Sequence, residues 1–208
     1  MNLRATLTQG LADIDLSLDD AQIDRLLDYL ALLGKWNKSY NLTAITSPEK
    51  MIYYHVLDSL AIYNWVSRSK TALDVGSGAG LPGLPLAIAM PESRWSLLDS
   101  NGKKTRFMQQ ALAVCAIDNA VVVKSRVEDY HAAEPFDIIV SRAFTSLTNF
   151  VGSVAHLCQS ETVMLAMKTG LSTEEAGNLS TVKYSMQESE LRIPGIAEKR
   201  SLVSLRLN

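Results

Sequence analysis

The sequence predicts an α/β protein built on a doubly wound, mostly parallel sheet. Three observations lead there. From residue 71 onward, short apolar runs alternate with stretches patterned as helices. A glycine-rich turn joins the first run to the first of those helices, and acidic residues fall where the early runs end.

The turn is Leu73-Asp-Val-Gly-Ser-Gly-Ala-Gly-Leu-Pro-Gly83. It reads as a strand, a tight loop and a helix start, which brings bare backbone against a nucleotide-like ligand. Gly76, Gly78 and Gly80 form G-x-G-x-G, whereas a dinucleotide fingerprint needs glycine at position 81 and this chain has Leu81. That spacing favours S-adenosylmethionine over a nicotinamide cofactor. Taken alone, such a turn is as readily a tight turn as a ligand cradle.

Before the sheet, Ser17-Leu-Asp-Asp20 is a helix start, with Ser17 the candidate N-cap and acids in the first turn. Ile23, Leu26, Leu27, Leu30 and Leu33 then recur at helical spacing, which predicts an amphipathic helix to about Gly34. Ser47-Pro48-Glu49 opens a second helix, with proline at its first position, running through His55, Leu57, Leu60 and Ile62 to about Trp65. Predicted strands then follow at 71–75, 94–98, 120–124, 136–140 and 162–167, with helices between them at 82–89, 103–114 and 146–157. Runs at 181–189 and 201–207 predict a terminal antiparallel pair joined across Pro194-Gly195. The expected organisation is an N-terminal helical extension, 1–70, packed on a seven-stranded domain, 71–208, as one structural unit.

The chain has 208 residues, 47% of them hydrophobic and 20% charged, which suits one soluble globular domain. No apolar stretch approaches a membrane span, and Met1 to Gly10 lacks the long apolar core of a signal peptide, so a cytoplasmic protein is expected. Cys115 and Cys158 show no metal-ligand spacing and read as reduced and buried. The net charge is -2, unevenly spread: residues 1–34 carry six aspartates against Arg4 and Arg25, while 18 cations face 16 acids in the remainder. Lys103, Lys104 and Arg106 form a basic cluster that Lys124, Arg126 and Arg142 extend; it reads equally as a phosphate-attracting patch or a solvated helix face.

A cofactor in this architecture lies across the carboxyl ends of the first strands. Asp74 ends the first strand, and Gly76 and Gly78 let backbone approach the ligand. Asp99 ends the second and is placed for ribose hydroxyls, although it could equally cap the next helix. Val127 and Glu128, after the third strand, are placed for the adenine edge through their backbone. Ser141 and Arg142 emerge after the fourth. Glu128 as a solvated loop acid and Arg142 as a structural ion pair are the plain alternatives. The coincidence of all these groups at strand ends, in order, favours an S-adenosylmethionine enzyme of the class I methyltransferase fold.

Further segments carry a more specific resemblance: Trp36-Asn-Lys-Ser-Tyr-Asn-Leu-Thr-Ala-Ile45, His55-Val-Leu-Asp-Ser-Leu60, Leu81-Pro-Gly83, Leu98-Asp-Ser-Asn-Gly-Lys-Lys104, Ser125-Arg-Val-Glu128 and Ser141-Arg-Ala-Phe144. Through them the chain, from about residue 36 to 170, resembles the small-subunit ribosomal RNA methyltransferase G family. The resemblance implies methylation of N7 of guanine 527 in bacterial 16S rRNA; a monomer acting on the small ribosomal subunit or its assembly intermediate is the expected form, though the sequence itself leaves naked rRNA and oligomeric state open. It also implies cofactor contacts at Gly76, Leu81, Val127, Glu128 and Arg142; Asp99 is added from the general fold. Lys168-Thr-Gly170 stands where similar proteins have Lys-Gly, and Arg200-Ser201-Leu202 where they tend to have Arg-His-Leu.

Guanine N7 carries a lone pair and no proton, so the implied reaction needs no general base. It needs positioning, exclusion of water and an unstacked base. Arg142 is the leading candidate for a dual cofactor and base role, since arginine can recognise the O6 and N7 edge. Lys168 and Arg126 are secondary candidates for phosphate or base contact. His55 and Asp58 lie three apart on a predicted helix, a spacing that suggests a proton-transfer pair, but with nothing to deprotonate they read first as structural hydrogen-bonding groups. The Trp36 to Tyr40 segment reads as a helix end pinned to the core before it reads as a stacking surface. A methyltransferase for a small molecule or protein, or a non-catalytic ribosome-associated module, are the competing functions.

Overall fold

In the computed structural model, which describes residues 2–142, Phe144, 146–171, Glu175, Leu179 and 183–208, seven strands form one mixed sheet. They are β1 (Thr71–Val75), β2 (Arg94–Asp99), β3 (Ala120–Lys124), β4 (Ile138–Ser141), β5 (Val163–Lys168), β6 (Tyr184–Leu191) and β7 (Arg200–Leu207). Their spatial order is β3-β2-β1-β4-β5-β7-β6. The first five run parallel, and β7 is antiparallel to both β5 and β6. The order reverses between β1 and β4, so a crevice opens where their carboxyl ends diverge.

Alternate residues of the central strands serve opposite faces, as the period of two requires. Ala72, Leu97, Ile138 and Leu165 join a core on one face, while Leu73, Leu98, Ile139 and Met164 join a core on the other. The first core is roofed by the N-terminal helices, α1 (Leu3–Asp13) and α2 (Asp20–Tyr40), and by the segment 48–66. That segment begins as α3 (Pro48–Met51), widens into a π-helix (Ile52–Leu57) and resumes as α4 (Asp58–Leu60) and α5 (Tyr63–Val66). Helices α6 (Gly83–Ala89) and α7 (Gly102–Val114) complete this layer. On the other face lies α8 (Leu147–Val154), extended by a 3-10 turn (Ala155–Leu157). Among the described residues no helix is long and apolar enough to cross a membrane. Cys115 and Cys158 are free thiols, and burial pushes both up to about 11.

The predicted bounds of β1 and β3 match, and the start of the sixth predicted run, residues 181 and 182, lies outside the described residues. Three local expectations are corrected. The cap of α2 is Asp19, whose carboxylate accepts from Gln22 N at 2.7 Å while the Gln22 side chain accepts from Asp19 N, a reciprocal box that outcompetes Ser17. The helix also continues past Gly34 to Tyr40 and ends on Asn41 in the left-handed region. Lastly, α1 was not anticipated: it buries only Leu7, Gly10 and Leu11, too narrow an apolar stripe to stand out.

Two glycines make opposite predictions. A Cβ on Gly34 meets nothing within 4 Å. Gly34→Ala should therefore stabilise the fold by ~0.5–1 kcal/mol through helix propensity. A Cβ on Gly83 would collide with Leu97 and lie 2.8 Å from Asp74 Oδ2. Gly83→Ala should cost roughly 1–3 kcal/mol by overpacking. Urea denaturation of both variants reads the two signs.

Candidate active site

The site is built outward from the loop between β1 and α6. Gly76 N and Ser77 N both donate to Leu98 O on β2, at 2.8 and 3.0 Å, which folds the chain back over the strand ends. Gly78 and Gly80 then adopt φ of 60° and 81°, conformations that strain any residue with a Cβ. Three side chains fix the loop from outside. Tyr29, on α2, donates its buried hydroxyl to Ala79 O at 2.8 Å. Asp99 Oδ2 accepts from Gly78 N at 2.9 Å, and its Oδ1 accepts from Asn101 N at 2.8 Å. Asp74 Oδ2 accepts from Gly83 N at 2.9 Å, tying the strand end to the first residue of α6.

Asp74 is fully buried, and its Oδ1 has no partner among the described residues. Burial pushes its carboxyl up to about 7, against the opposing pull of the Gly83 amide, Ser77 and Arg142. Tyr29 is likewise raised, chiefly by burial.

Two cavities open along the crevice. The first, about 280 Å³, is lined by Gly76, Asp99, Lys104, Arg126, Val127 and Glu128. The second, about 430 Å³, is lined by Tyr54, His55, Asp58, Arg142, Lys168, Arg200 and Ser201, among others. Phe144 belongs to the wall of both. It is the residue across which two ligands would meet.

The predicted cofactor residues are thus only partly gathered. Gly76, Asp99, Val127 and Glu128 line the first cavity together, with Gly78 held beside it by Asp99. The side chain of Leu81 is buried in the core, so any ligand contact there falls to its backbone. Arg142 lies in the second cavity, where Nη1 donates to Tyr54 O at 3.0 Å and to Asp58 Oδ2 at 2.9 Å. Arg126 lines the first cavity, and Lys168 lines the second while paired with Glu175 at 2.7 Å. The first cavity suits a ribose-bearing ligand: a buried carboxylate stands at its wall and glycine backbone at its floor, with Lys104 Nζ 3.6 Å from that carboxylate.

His55 and Asp58 do not form the pair that their spacing suggested. His55 Nδ1 lies 3.0 Å from Tyr54 O, and Thr43 Oγ1 lies 2.9 Å from Nε2. A carbonyl can only accept, so Nδ1 carries the proton and the threonine donates to Nε2. Burial, reinforced by the charge of Arg142, pushes His55 down to about 4, so it is neutral near pH 7. Asp58 turns instead to Arg142 and to Arg200, whose Nε donates to Oδ1 at 3.2 Å. Trp36 packs on Phe107, with ring centroids 5.7 Å apart, and pins the end of α2.

The sequence reading missed Tyr29 and Arg200 as parts of this site and read Asp58 first as structural. Tyr29 falls in the helical stripe of α2, which was a usable signal. The junction of Asp58 with Arg142 and Arg200 joins residues 84 and 142 positions apart, and no local pattern announces it.

Comparison with known proteins adds to this geometry. The profile of the family described as rRNA small subunit methyltransferase G matches residues 22–203. A protein named ribosomal RNA small subunit methyltransferase G from Pseudomonas aeruginosa is 47% identical over 200 residues, 96% of this chain and 94% of that one. One of the same name from Nitrosococcus oceani is 46% identical, over 96% and 93%. Among solved structures, an O-methyltransferase from Bacillus cereus in complex with SAH superposes with a TM-score of 0.62 at 15% identity, covering 100% of both chains. A putative O-methyltransferase from Klebsiella pneumoniae gives 0.63 at 12% identity, over 99% and 96%. Identities this low establish the fold alone.

The buried Asp74 generates a pH prediction. From its ordinary 3.8 up to about 7, the folded protein holds a proton on Asp74 that the unfolded chain releases. The folded state therefore gains from this group at low pH, and the gain is lost as pH rises through about 7. Asp74→Asn removes that dependence. Relative to wild type, the variant should become progressively more stable between about pH 4 and 7, measured by urea denaturation across that range.

Proposed function

Because the chain belongs to the rRNA small subunit methyltransferase G family, we propose that it methylates N7 of guanine 527 in bacterial 16S rRNA from S-adenosylmethionine. The observation that carries this reading is the pair of cavities sharing Phe144, one suited to a ribose-bearing cofactor and the other bounded by Arg142, Lys168 and Arg200. The bound cofactor supplies an electrophilic methyl on a sulfonium.

In this reading Gly76 and Gly78 present backbone to the cofactor, and Asp99 accepts from its ribose hydroxyls. Val127 and Glu128 border its adenine, with Leu81 contributing backbone. Arg142, held by Asp58 and Tyr54 O, extends from the rim of β4 toward the acceptor. N7 is the nucleophile and must keep its lone pair free, so an arginine there serves O6 or a neighbouring phosphate. No residue needs to remove a proton, and the neutral, doubly bonded His55 fits a supporting role. The chain supplies alignment, a dry cavity and a fixed electrostatic field.

The substrate proposed is the rRNA within the small subunit or its assembly intermediate, met by a monomer in the cytoplasm. Lys104 and Arg126 in the lining of the first cavity, with exposed Lys103, Arg106 and Lys124 on the same two segments of the chain, favour a phosphate-rich partner over a small neutral one.

The deciding measurement is transfer of labelled methyl to small subunits that lack the modification, with the product nucleoside mapped. One 7-methylguanosine at the proposed position is expected; transfer to another base or position would replace the reading. Arg142→Ala should lower kcat/KM by roughly 100-fold or more while the melting transition stays cooperative. Undiminished turnover by that variant would falsify the role given to Arg142.

A further inference from the structure

The second cavity contains a carboxylate for which the scheme above gives no chemical use. Asp58 is buried, with its side chain 6% exposed, and it faces arginines from two distant parts of the chain. Beside it, Ser201 lines the same cavity, and its buried hydroxyl has no partner among the described residues. At about 430 Å³ the cavity falls in the range of small-ligand sites, roughly 300–1,000 Å³.

An acid is out of place in a surface meant only to attract RNA, because affinity for phosphates comes from cations. Methylation at N7 supplies a reason for it. Guanine enters neutral. Its N7 lone pair forms the new bond to the methyl carbon, the S–CH3 electron pair stays with sulfur, and no proton moves. The positive charge thus passes from sulfur to the base. It arrives in a cavity that already holds Arg142, Arg200 and Lys168, the last paired with Glu175. Glu175 offsets Lys168, so Arg142 and Arg200 are the cations that oppose that arrival, and the fixed carboxylate of Asp58 favours it. His55 is neutral near pH 7 and adds nothing to the opposition.

The geometry points to the second cavity as the seat of the acceptor guanine and to Asp58 as the counter-charge for the cation that methylation makes of it. Two arginines hold the carboxylate in place, through Oδ2 and Oδ1, so it needs no reorganisation when the charge develops. Ser201, near the start of β7, lines the same wall. The inference rests on the guanine-N7 reading and goes beyond it by assigning the acceptor's pocket and its electrostatics.

The test separates attraction for RNA from stabilisation of the product charge. Asp58→Asn removes one negative charge, so the KM for small subunits should stay level or fall. Its kcat should drop roughly tenfold or more. Asp58→Glu should recover much of that kcat. A residue that merely clamps the arginines predicts instead that KM for small subunits rises alongside any loss of kcat. That pattern, or wild-type kcat in Asp58→Asn, overturns the proposal.

A second measurement needs no variant. In mildly acidic buffer, where the methylated base is cationic, wild-type protein with S-adenosylhomocysteine should bind 7-methylguanosine 5′-monophosphate several-fold tighter than guanosine 5′-monophosphate. Equal or weaker binding overturns the counter-charge. Failure of the wild-type chain to methylate small subunits removes the guanine-N7 reading and this inference together, so the two failures are distinguishable.

Discussion

The hydrogen bond from Gly83 N to a carboxylate with no access to water governs the active end of this molecule. Asp74 stands at the end of the central strand β1, where the sheet order reverses, and takes the first amide of α6 across the glycine loop. A carboxyl in such a place is costly unless its surroundings compensate. Here they do so incompletely, since one oxygen has no partner among the described residues. The loop gains a fixed closing angle, and the first cavity forms over it. Tyr29 from the helical extension and Asp99 from β2 then lock the same few peptides from two other directions. The extension before the sheet is thus part of the site's scaffold.

The second cavity depends on the same extension by a different route. In the π-helix that ends at Leu57, Asp58 N reaches back to Tyr53 O, five residues earlier, as well as to His55 O. The Tyr54 carbonyl, which a regular α-turn would engage with Asp58 N, accepts instead from Arg142. The widened turn also sets the Asp58 side chain between Arg142 and Arg200. A local irregularity of helix geometry is therefore where the N-terminal layer, the end of β4 and the start of β7 are joined. Gly195 reinforces the joint, since a Cβ there would lie 2.7 Å from the Tyr53 ring, and Tyr54 donates to Glu198 at 3.2 Å.

Features decided within a few residues were legible in the sequence. Proline after Ser47 starts a helix as expected, and the Ser47 hydroxyl caps it. Runs rich in β-branched residues at β1 and β3 are strands at their predicted bounds. Gly34 misled because glycine usually ends helices, yet nothing here forces the chain to turn, and Asn41 does that work seven residues later. The cofactor side was legible for the same local reason: Asp99 ends β2, Gly76, Val127 and Glu128 follow β1 and β3 within a few residues, and a parallel sheet brings such positions together. Arg142 was legible as a rim residue, but its cavity was not. Which of two adjacent spaces it enters depends on Asp58 and Arg200, and their meeting is a property of packing that no spacing records.

Phe144 belongs to both cavities, and this has a thermodynamic consequence for the order of events. A ligand that shifts this ring changes the shape offered to the other ligand, so the two binding steps share a coupling free energy. Such coupling is reciprocal: whatever factor a bound cofactor adds to the affinity for the base, a bound base adds to the affinity for the cofactor. In the proposed reaction each cavity would hold a ligand of altered charge once the methyl has crossed, and the factor need not keep its size. One ring can thereby link the loading of the site to its emptying, with no part of the backbone required to move.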